Sequence, residues 1–448
     1  MKEVKKLAAF GGNPIVPRSM KLTRWPRIEP NEIENVVTVL QSEPIIGSDA
    51  EPIVQLENEW SGYIDVPFCR AVASGTAGLH MALWGAEVGP GDEVLVPAYS
   101  FMATALVVLH TGASVVFVDI DPKTYNLDPT LIEEKITPRT KALIVVHLGG
   151  LPADMDEISA IAKRHNLAVI EDAAHAHGAL YKGRKTGTLG DAASFSLNGA
   201  KNLPGGEAGL FVTRHQSYSD RVQGLWLPVT LAASSESEKY PLATLGYNYR
   251  CSLVAAALAG GQLKRLDELN AVRRANCERL AEQLRQIPGV IPPEVPEDRT
   301  HVYHLFRVRF DPQAAGVDIR PNEFRAKVVA ALSAEGVMCR SWMNWSLPEL
   351  PIFSKPNDFE RLHPWKRTWS KDRTYDCTEW PEANRMVGET TVVADVPTST
   401  GPEAVDLLAE GFQKVFSQID TVMQINLTEK LASGELATSE AVRQELQV

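Results

Sequence analysis

The chain has 448 residues, of which 44% are hydrophobic and 23% charged, and its formal net charge is −11. That length supports a large buried core and exceeds one ordinary domain. The acidic balance argues against a nucleic-acid or anionic-membrane surface, because both need clustered Lys and Arg. The five cysteines (Cys69, Cys251, Cys277, Cys339 and Cys377) are odd in number and show no metal-ligand spacing, which fits free thiols in a reducing compartment. No apolar run is long enough for a signal peptide or a bilayer span, so the expected location is cytoplasmic, with no membrane partner.

In chain order, residues 1–40 read as an N-terminal arm with an amphipathic helix over 30–40. Residues 41–287 read as a large domain. Short apolar runs at 70–74, 93–97, 114–119, 141–147, 168–172, 193–196 and 209–213 predict seven strands, with helical patterns at 76–86, 131–136 and 155–165 between them. This alternation predicts an α/β fold with a mostly parallel seven-stranded sheet flanked by helices. Residues 250–287 predict one or two long helices. Residues 288–424 read as a smaller α+β domain, opening with the alternating run 301–310 and a helix at 321–336. Within it, the segment 342–380 holds five of the nine tryptophans (Trp342, Trp345, Trp365, Trp369 and Trp380). It predicts an ordered loop packed on the domain, with a lid or subunit contact as the alternative. A polar tail occupies 425–448.

Lys201 follows the apolar run Ser194-Phe195-Ser196-Leu197 and precedes the turn Pro204-Gly205-Gly206, a setting unlike that of a solvated lysine. The 168–172 strand ends in Glu171-Asp172, followed by His175 and His177. Strand side chains alternate, so one carboxylate should enter a site and the other leave it, and Asp172 lies nearer the strand end. A lysine amine and an acid delivered from strand ends suit a Schiff base paired with a pyridinium nitrogen. Ala73-Ser74-Gly75-Thr76 ends a strand and opens a helix, which offers either a phosphate cradle or a plain turn. Phe101 or Tyr99 could stack on a flat cofactor, although a core aromatic is the commoner use. Ser196 fits a phosphate ligand or a plain strand-end serine. The two histidines lack a third ligand at zinc spacing and more readily hydrogen-bond a cofactor ring or its neighbours. No GxGxxG after a strand, Walker A sequence or GxSxG is present.

These motifs, together with Gly91-Asp92-Glu93-Val94 and Gly246-Tyr247-Asn248-Tyr249-Arg250, resemble the DegT/StrS-like aminotransferases of fold type I, which act on keto-sugars and keto-cyclitols. The resemblance implies pyridoxal 5'-phosphate as cofactor, with Lys201 as its Schiff-base lysine and proton carrier. It assigns Asp172 to the pyridine nitrogen, His175 to the phenolic oxygen, Phe101 to ring stacking, and Gly75, Thr76 and Ser196 to the phosphate. Asn248 would reach the phosphate of a neighbouring subunit, which implies a homodimer with shared active sites. The implied reaction moves an amino group from glutamate or glutamine to a ketone acceptor in a biosynthetic pathway. Asn198 and the opening Leu7-Ala8-Ala9-Phe10-Gly11-Gly12 resemble the cyclitol and aminohydroxybenzoate-synthase-like subgroup. Ala208, in Gly206-Glu207-Ala208-Gly209, departs from the usual Gly-Glu-Gly-Gly. The alternatives are a lyase or aromatising dehydratase of the same family, and a non-catalytic cofactor-binding partner protein.

Overall fold

The computed structural model describes residues 5–17, 20, 25–42, 47, 49–226, 246–355, 375–393, 396 and 401–427. Trp365, Trp369, Leu245 and most of the predicted tail lie outside the described residues.

Thirteen strands are described: β1 Phe68–Val72, β2 Glu93–Pro97, β3 Ser114–Val118, β4 Thr140–Val146, β5 Ala168–Asp172, β6 Leu180–Tyr181, β7 Arg184–Lys185, β8 Ala192–Ser196, β9 Gly209–Thr213, β10 Val290–Ile291, β11 Arg307–Phe310, β12 Cys339–Arg340 and β13 Thr390–Val393. Seven of them form one sheet in the order β1-β9-β8-β5-β4-β2-β3, parallel throughout except for β9, which runs against both neighbours. Its strands are apolar on both faces because helices cover both. Val94, Val96, Ile144 and Val146 face α3 (Gly75–Gly85) and α4 (Ala103–His110). Their immediate neighbours Leu95, Leu143 and Val145 face α5 (Met155–His165). On the same second face, toward β1, Phe195 and Leu210 pack with Trp60 of α2 (Glu51–Ile64) and Ala256 of α7 (Leu253–Leu263).

The predicted helix over 30–40 is α1, Pro30–Gln41, capped by a box between Glu29 and Glu32. The long helical region divides into α7 and α8 (Leu266–Leu284). A second, antiparallel sheet, β10-β11-β13-β12, packs with α9 (Pro321–Ala334) and the helix Pro402–Phe416 around Phe310, Phe324 and Phe412. Leu7 and Val16 join that cluster, and Glu335 secures them by accepting from the amides of Ala8 and Ile15 and from buried Lys414.

Two predicted elements differ. The 131–136 helix is instead a pair of 3-10 turns, Pro129–Leu131 and Glu133–Lys135, too short to bury an amphipathic face. Of the alternating run 301–310, only Arg307–Phe310 is a strand. His301 to His304 form an irregular approach whose backbone docks on Gly149 and Gly150, and Tyr303 there has a φ of 46°. His301, Val302 and Tyr303 are all buried, so the alternation of residue types there is not an alternation of faces.

Candidate active site

The carboxyl ends of β4, β5 and β8 open on a cavity of about 580 Å³, the place where parallel α/β sheets bind ligands. The size is that of a small-molecule or cofactor site. The predicted residues Lys201, Asp172, His175, Ser196, Gly75, Thr76 and Phe101 all line it. Asn248 does not. It is exposed, with φ 57°, just before Tyr249, whose carbonyl accepts from the Ala73 amide.

One wall is a cradle of backbone amides. Ser74 caps α3, its side chain accepting from the Ala77 amide at 3.1 Å, and the first amides of the helix are left without intrahelical acceptors. The cradle is seated on β8: Ser194 donates to the Gly75 carbonyl at 2.7 Å, and a Cβ on Gly75 would stand 3.0 Å from that of Ser196. A side chain there would crowd Ser196, and the glycine leaves the helix terminus open to an anion beside Gly75, Thr76 and Ser196.

Strand alternation separates the two acids at the end of β5. Glu171 turns away from the cavity and accepts from the amides of Gly187, Leu189 and Gly190 and from His147, at 2.7 to 2.8 Å. His147 accepts from the Ala153 amide through Nδ1, so Nε2 carries the proton that Glu171 receives. Asp172 turns inward. Its carboxylate takes one hydrogen bond from Thr104 Oγ1 at 2.8 Å and another from the Ala174 amide at 3.3 Å. Burial pushes its pKa up, and the two donors and the Lys201 charge only partly oppose that. A buried acid on a cavity wall is suited to a cationic ring nitrogen, which would stabilise its ionised form.

Lys201 lies in a tight loop where its amide donates to the Asn198 carbonyl at 2.8 Å and its own carbonyl accepts from the Trp25 indole at 3.0 Å. Burial pushes its amine down to about 8, with Asp172 pulling the other way. A sizeable neutral fraction of amine is therefore present near neutral pH, which a nucleophilic lysine requires. The same loop is braced by Asn198, whose Nδ2 donates to Glu207 at 2.7 Å.

His175 Nδ1 accepts from the Gly149 amide at 3.3 Å, leaving Nε2 as the donor. Its ring lies 4.4 Å from that of His304 and 5.6 Å from that of Trp342. Burial, reinforced by Lys201, holds it neutral. His177 does not reach the cavity as expected. Its ring is fully buried between Trp60 and Phe195, because the chain turns after Ala176 and directs it into the core. Phe101 is 50% exposed on the cavity wall, whereas Tyr99 is buried against Tyr125 and Trp342, so Phe101 is the ring available for stacking.

Sequence reasoning missed Trp25, Arg273, Tyr303, His304 and Arg340, all of which line the cavity. They come from the arm, α8, the 301–304 approach and β12, and no local motif links them. The tryptophan-rich segment divides its work. Trp342 lines the cavity, while Trp380 is buried and donates to the Phe117 carbonyl at 3.1 Å, beside Phe353 in the core of the large sheet.

A profile of the DegT/DnrJ/EryC1/StrS aminotransferase family matches residues 26–392. L-glutamine:2-deoxy-scyllo-inosose aminotransferase of Streptomyces lividus is 39% identical over 319 residues, covering 68% of this chain and 74% of the relative. The solved structure of 3-amino-5-hydroxybenzoic acid synthase superposes with a TM-score of 0.78 at 26% identity, covering 89% of this chain and 99% of that one. Spr1654 of Streptococcus pneumoniae, solved in a PLP-form, gives 0.75 at 26% identity over 89% of this chain and 100% of that one. The cradle, the buried acid and the low-pKa lysine fit that cofactor, and the chain belongs to the DegT/DnrJ/EryC1/StrS family as a pyridoxal-phosphate-dependent aminotransferase of fold type I.

Proposed function

We propose that the protein transfers the amino group of glutamine or glutamate to a keto-cyclitol or keto-sugar in a biosynthetic pathway. The observation that carries this reading is the convergence of the Lys201 amine, the Asp172 carboxylate and the Ser74–Thr76 amides on one cavity. The cyclitol side is favoured by the inosose-specific relative and by the resemblance of Asn198 to the amide residue of the cyclitol subgroup.

Pyridoxal phosphate, when bound, supplies the electron sink that makes the donor's α-proton removable. The protein's residues hold and direct it. Gly75, Thr76 and Ser196 would bind the phosphate, Asp172 would keep the ring nitrogen protonated, and Phe101 would cover one ring face. His175, with Nδ1 occupied by the Gly149 amide, would donate Nε2–H to the ring's phenolic oxygen. Lys201 would hold the cofactor through its amine and, once released, take the proton from the donor's α-carbon. Its depressed pKa suits it to accept that proton near neutral pH.

Asn248 lies outside its own cavity, and we assign it to the phosphate of a second copy, giving a homodimer with shared sites. The free buried thiols Cys69, Cys251 and Cys277 support a reducing, cytoplasmic setting.

The test is to incubate the cofactor-loaded protein with glutamine or glutamate and then with free keto-cyclitols or nucleotide-linked keto-sugars. Loss of the visible cofactor band with a donor, and a mass gain by one ketone, are expected. A colourless protein that binds no cofactor would refute the reading. The likeness to 3-amino-5-hydroxybenzoic acid synthase supports a second reading, ring dehydration and aromatisation. That reading requires an aromatic product and indifference to every amino donor.

A further inference from the structure

Arg307 of β11 is only 3% exposed, and its guanidinium packs against Gly149 behind the cavity. A Cβ on Gly149, which has a φ of 67°, would stand 3.2 Å from Arg307 Nε. Nη2 donates to the Thr124 carbonyl at 3.1 Å and lies 3.5 Å from the Leu148 carbonyl, and the guanidinium carbon is 4.0 Å from the Tyr125 ring centroid. At 3.5 Å the Leu148 contact is more a charge–dipole attraction than a hydrogen bond. Among the described residues, Nε and Nη1 have no hydrogen-bond partner and the guanidinium meets no carboxylate. Other buried cations are paired: Arg299 with Asp154 and Asp298, and Lys414 with Glu335. Burying an unpaired cation is costly, and its field acts strongly in a dry interior.

The peptide that orients His175 lies in that field. The Leu148 carbonyl and the Gly149 amide belong to one peptide group. Arg307 attracts its oxygen from the small domain, and its N–H donates to His175 Nδ1 at 3.3 Å on the other side. Protonating Nδ1 would set two donors, Gly149 N–H and Nδ1–H, against each other. The groups facing His175 are Lys201 from the lysine loop, His304 from the 301–304 approach, His177 from its own loop and Arg307 from β11. Burial first, and then these charges, hold the ring neutral. His304 and His177 are themselves kept neutral by burial. Lys201 gives up its charge once its amine holds the cofactor, so Arg307 is the cation that remains. Arg307 in turn faces Tyr99, Tyr125 and His301, which are phenols and an imidazole rather than carboxylates.

We propose that Arg307 is a positioning residue: through the Leu148–Gly149 peptide it fixes His175 as the neutral tautomer that offers Nε2–H to the cofactor's phenolic oxygen. This rests on the aminotransferase reading above. Arg307 does not line the cavity, so it acts only through the peptide and its charge. A donor held in place beforehand needs no reorganisation during the reaction. Because β11 belongs to the second sheet, the seating of that sheet on Gly149 and the state of the histidine are linked.

The experiment follows the His175 ring nitrogens by nitrogen NMR in the full chain labelled at histidine, as apoprotein and cofactor-loaded, with H175Q used to assign the signals. Wild type is expected to carry its proton on Nε2 alone from about pH 8 to about pH 5. R307Q removes the charge and R307K keeps it, and thermal melts show which variants are folded. R307Q is expected to protonate His175 at a higher pH than wild type or to mix the two tautomers, and R307K to restore the wild-type pattern. The loaded R307Q protein should lose roughly 3- to 10-fold in kcat, with KM for either substrate within about twofold of wild type. A wild-type ring that carries its proton on Nδ1 would overturn the proposal without any substitution. A folded R307Q with wild-type His175 signals in both forms would do the same. A tautomer change in an apoprotein that takes up no pyridoxal phosphate would leave the link between Arg307 and His175 standing and sink the aminotransferase reading.

Discussion

Thr104 of α4 donates its hydroxyl to Asp172 at 2.8 Å, and Ser100 lies 3.0 Å from the same hydroxyl. The acid of β5 is thereby fixed from a helix on the neighbouring crossover. Replacing Thr104 with Val keeps the shape and removes the donor. The loss of a hydrogen bond to a buried carboxylate is worth about 1.5–3 kcal/mol. Urea unfolding of T104V should show that loss, and cofactor affinity should fall with it. A variant as stable as wild type would show that the contact is unimportant.

Lys201 carries a folding penalty of its own. Its pKa falls from 10.5 to about 8 on folding, so the unfolded chain binds the extra proton between those values. Stability therefore rises with pH through that window, and below about 8 the full penalty applies, at most roughly 3 kcal/mol. The apoprotein of K201M should be more stable than wild-type apoprotein at pH 7, with the gap closing toward pH 10.5, and it should be inactive. Denaturant melts at both pH values check the first point. A gap that does not change with pH would rule out a charge origin.

Burial holds His177 down at about 3 and His80 at about 4, and it also holds His175, His301 and His304 well below the usual imidazole range. In the unfolded chain these rings protonate near 6.5, so their contribution is present above that pH and is lost as pH falls toward the folded values. The slope is about 1.4 kcal/mol per pH unit for each ring. Thermal melts from pH 7 to 4.5 should therefore fall steeply. H177L, whose site between Trp60 and Phe195 is apolar, should fall less steeply than wild type.

Trp380 and Trp342 should behave oppositely although they belong to one segment. W380A removes a buried ring packed on Phe117 and should cost about 3–5 kcal/mol in unfolding free energy. W342A removes a partly buried ring on the cavity wall. Its expected effect is a raised KM for the ketone acceptor with little change in stability. Equal destabilisation by both would contradict this division.

If Asn248 serves a neighbouring subunit, K201A and N248D proteins, each impaired alone, should regain activity when unfolded and refolded together. Mixed dimers then contain one site with both native residues. Activity no greater than the sum of the separate proteins would argue against sharing.

Much of the site was legible in one dimension because its cofactor-side groups sit at strand ends and helix starts, where local signals are strong. Gly75 lets β8 approach closely, and Asp172 is placed by the parity of β5, so both follow from backbone geometry. The same parity sent Glu171 to its own set of amides. Parity failed at His177, because the chain leaves the strand at Asp172 and the direction of a later ring depends on the core that receives it. It failed again at 301–304, where consecutive residues are buried in an irregular segment docked on Gly149 and Gly150. Arg273 carried no signal at all. Its place on the cavity wall depends on Trp25, which is far away in the chain and meets it only when the arm and α8 pack together. Lys201 and its acid are thus properties of the sequence. The depressed pKa of that lysine and the division of the tryptophan segment arise from burial, which only the tertiary structure decides.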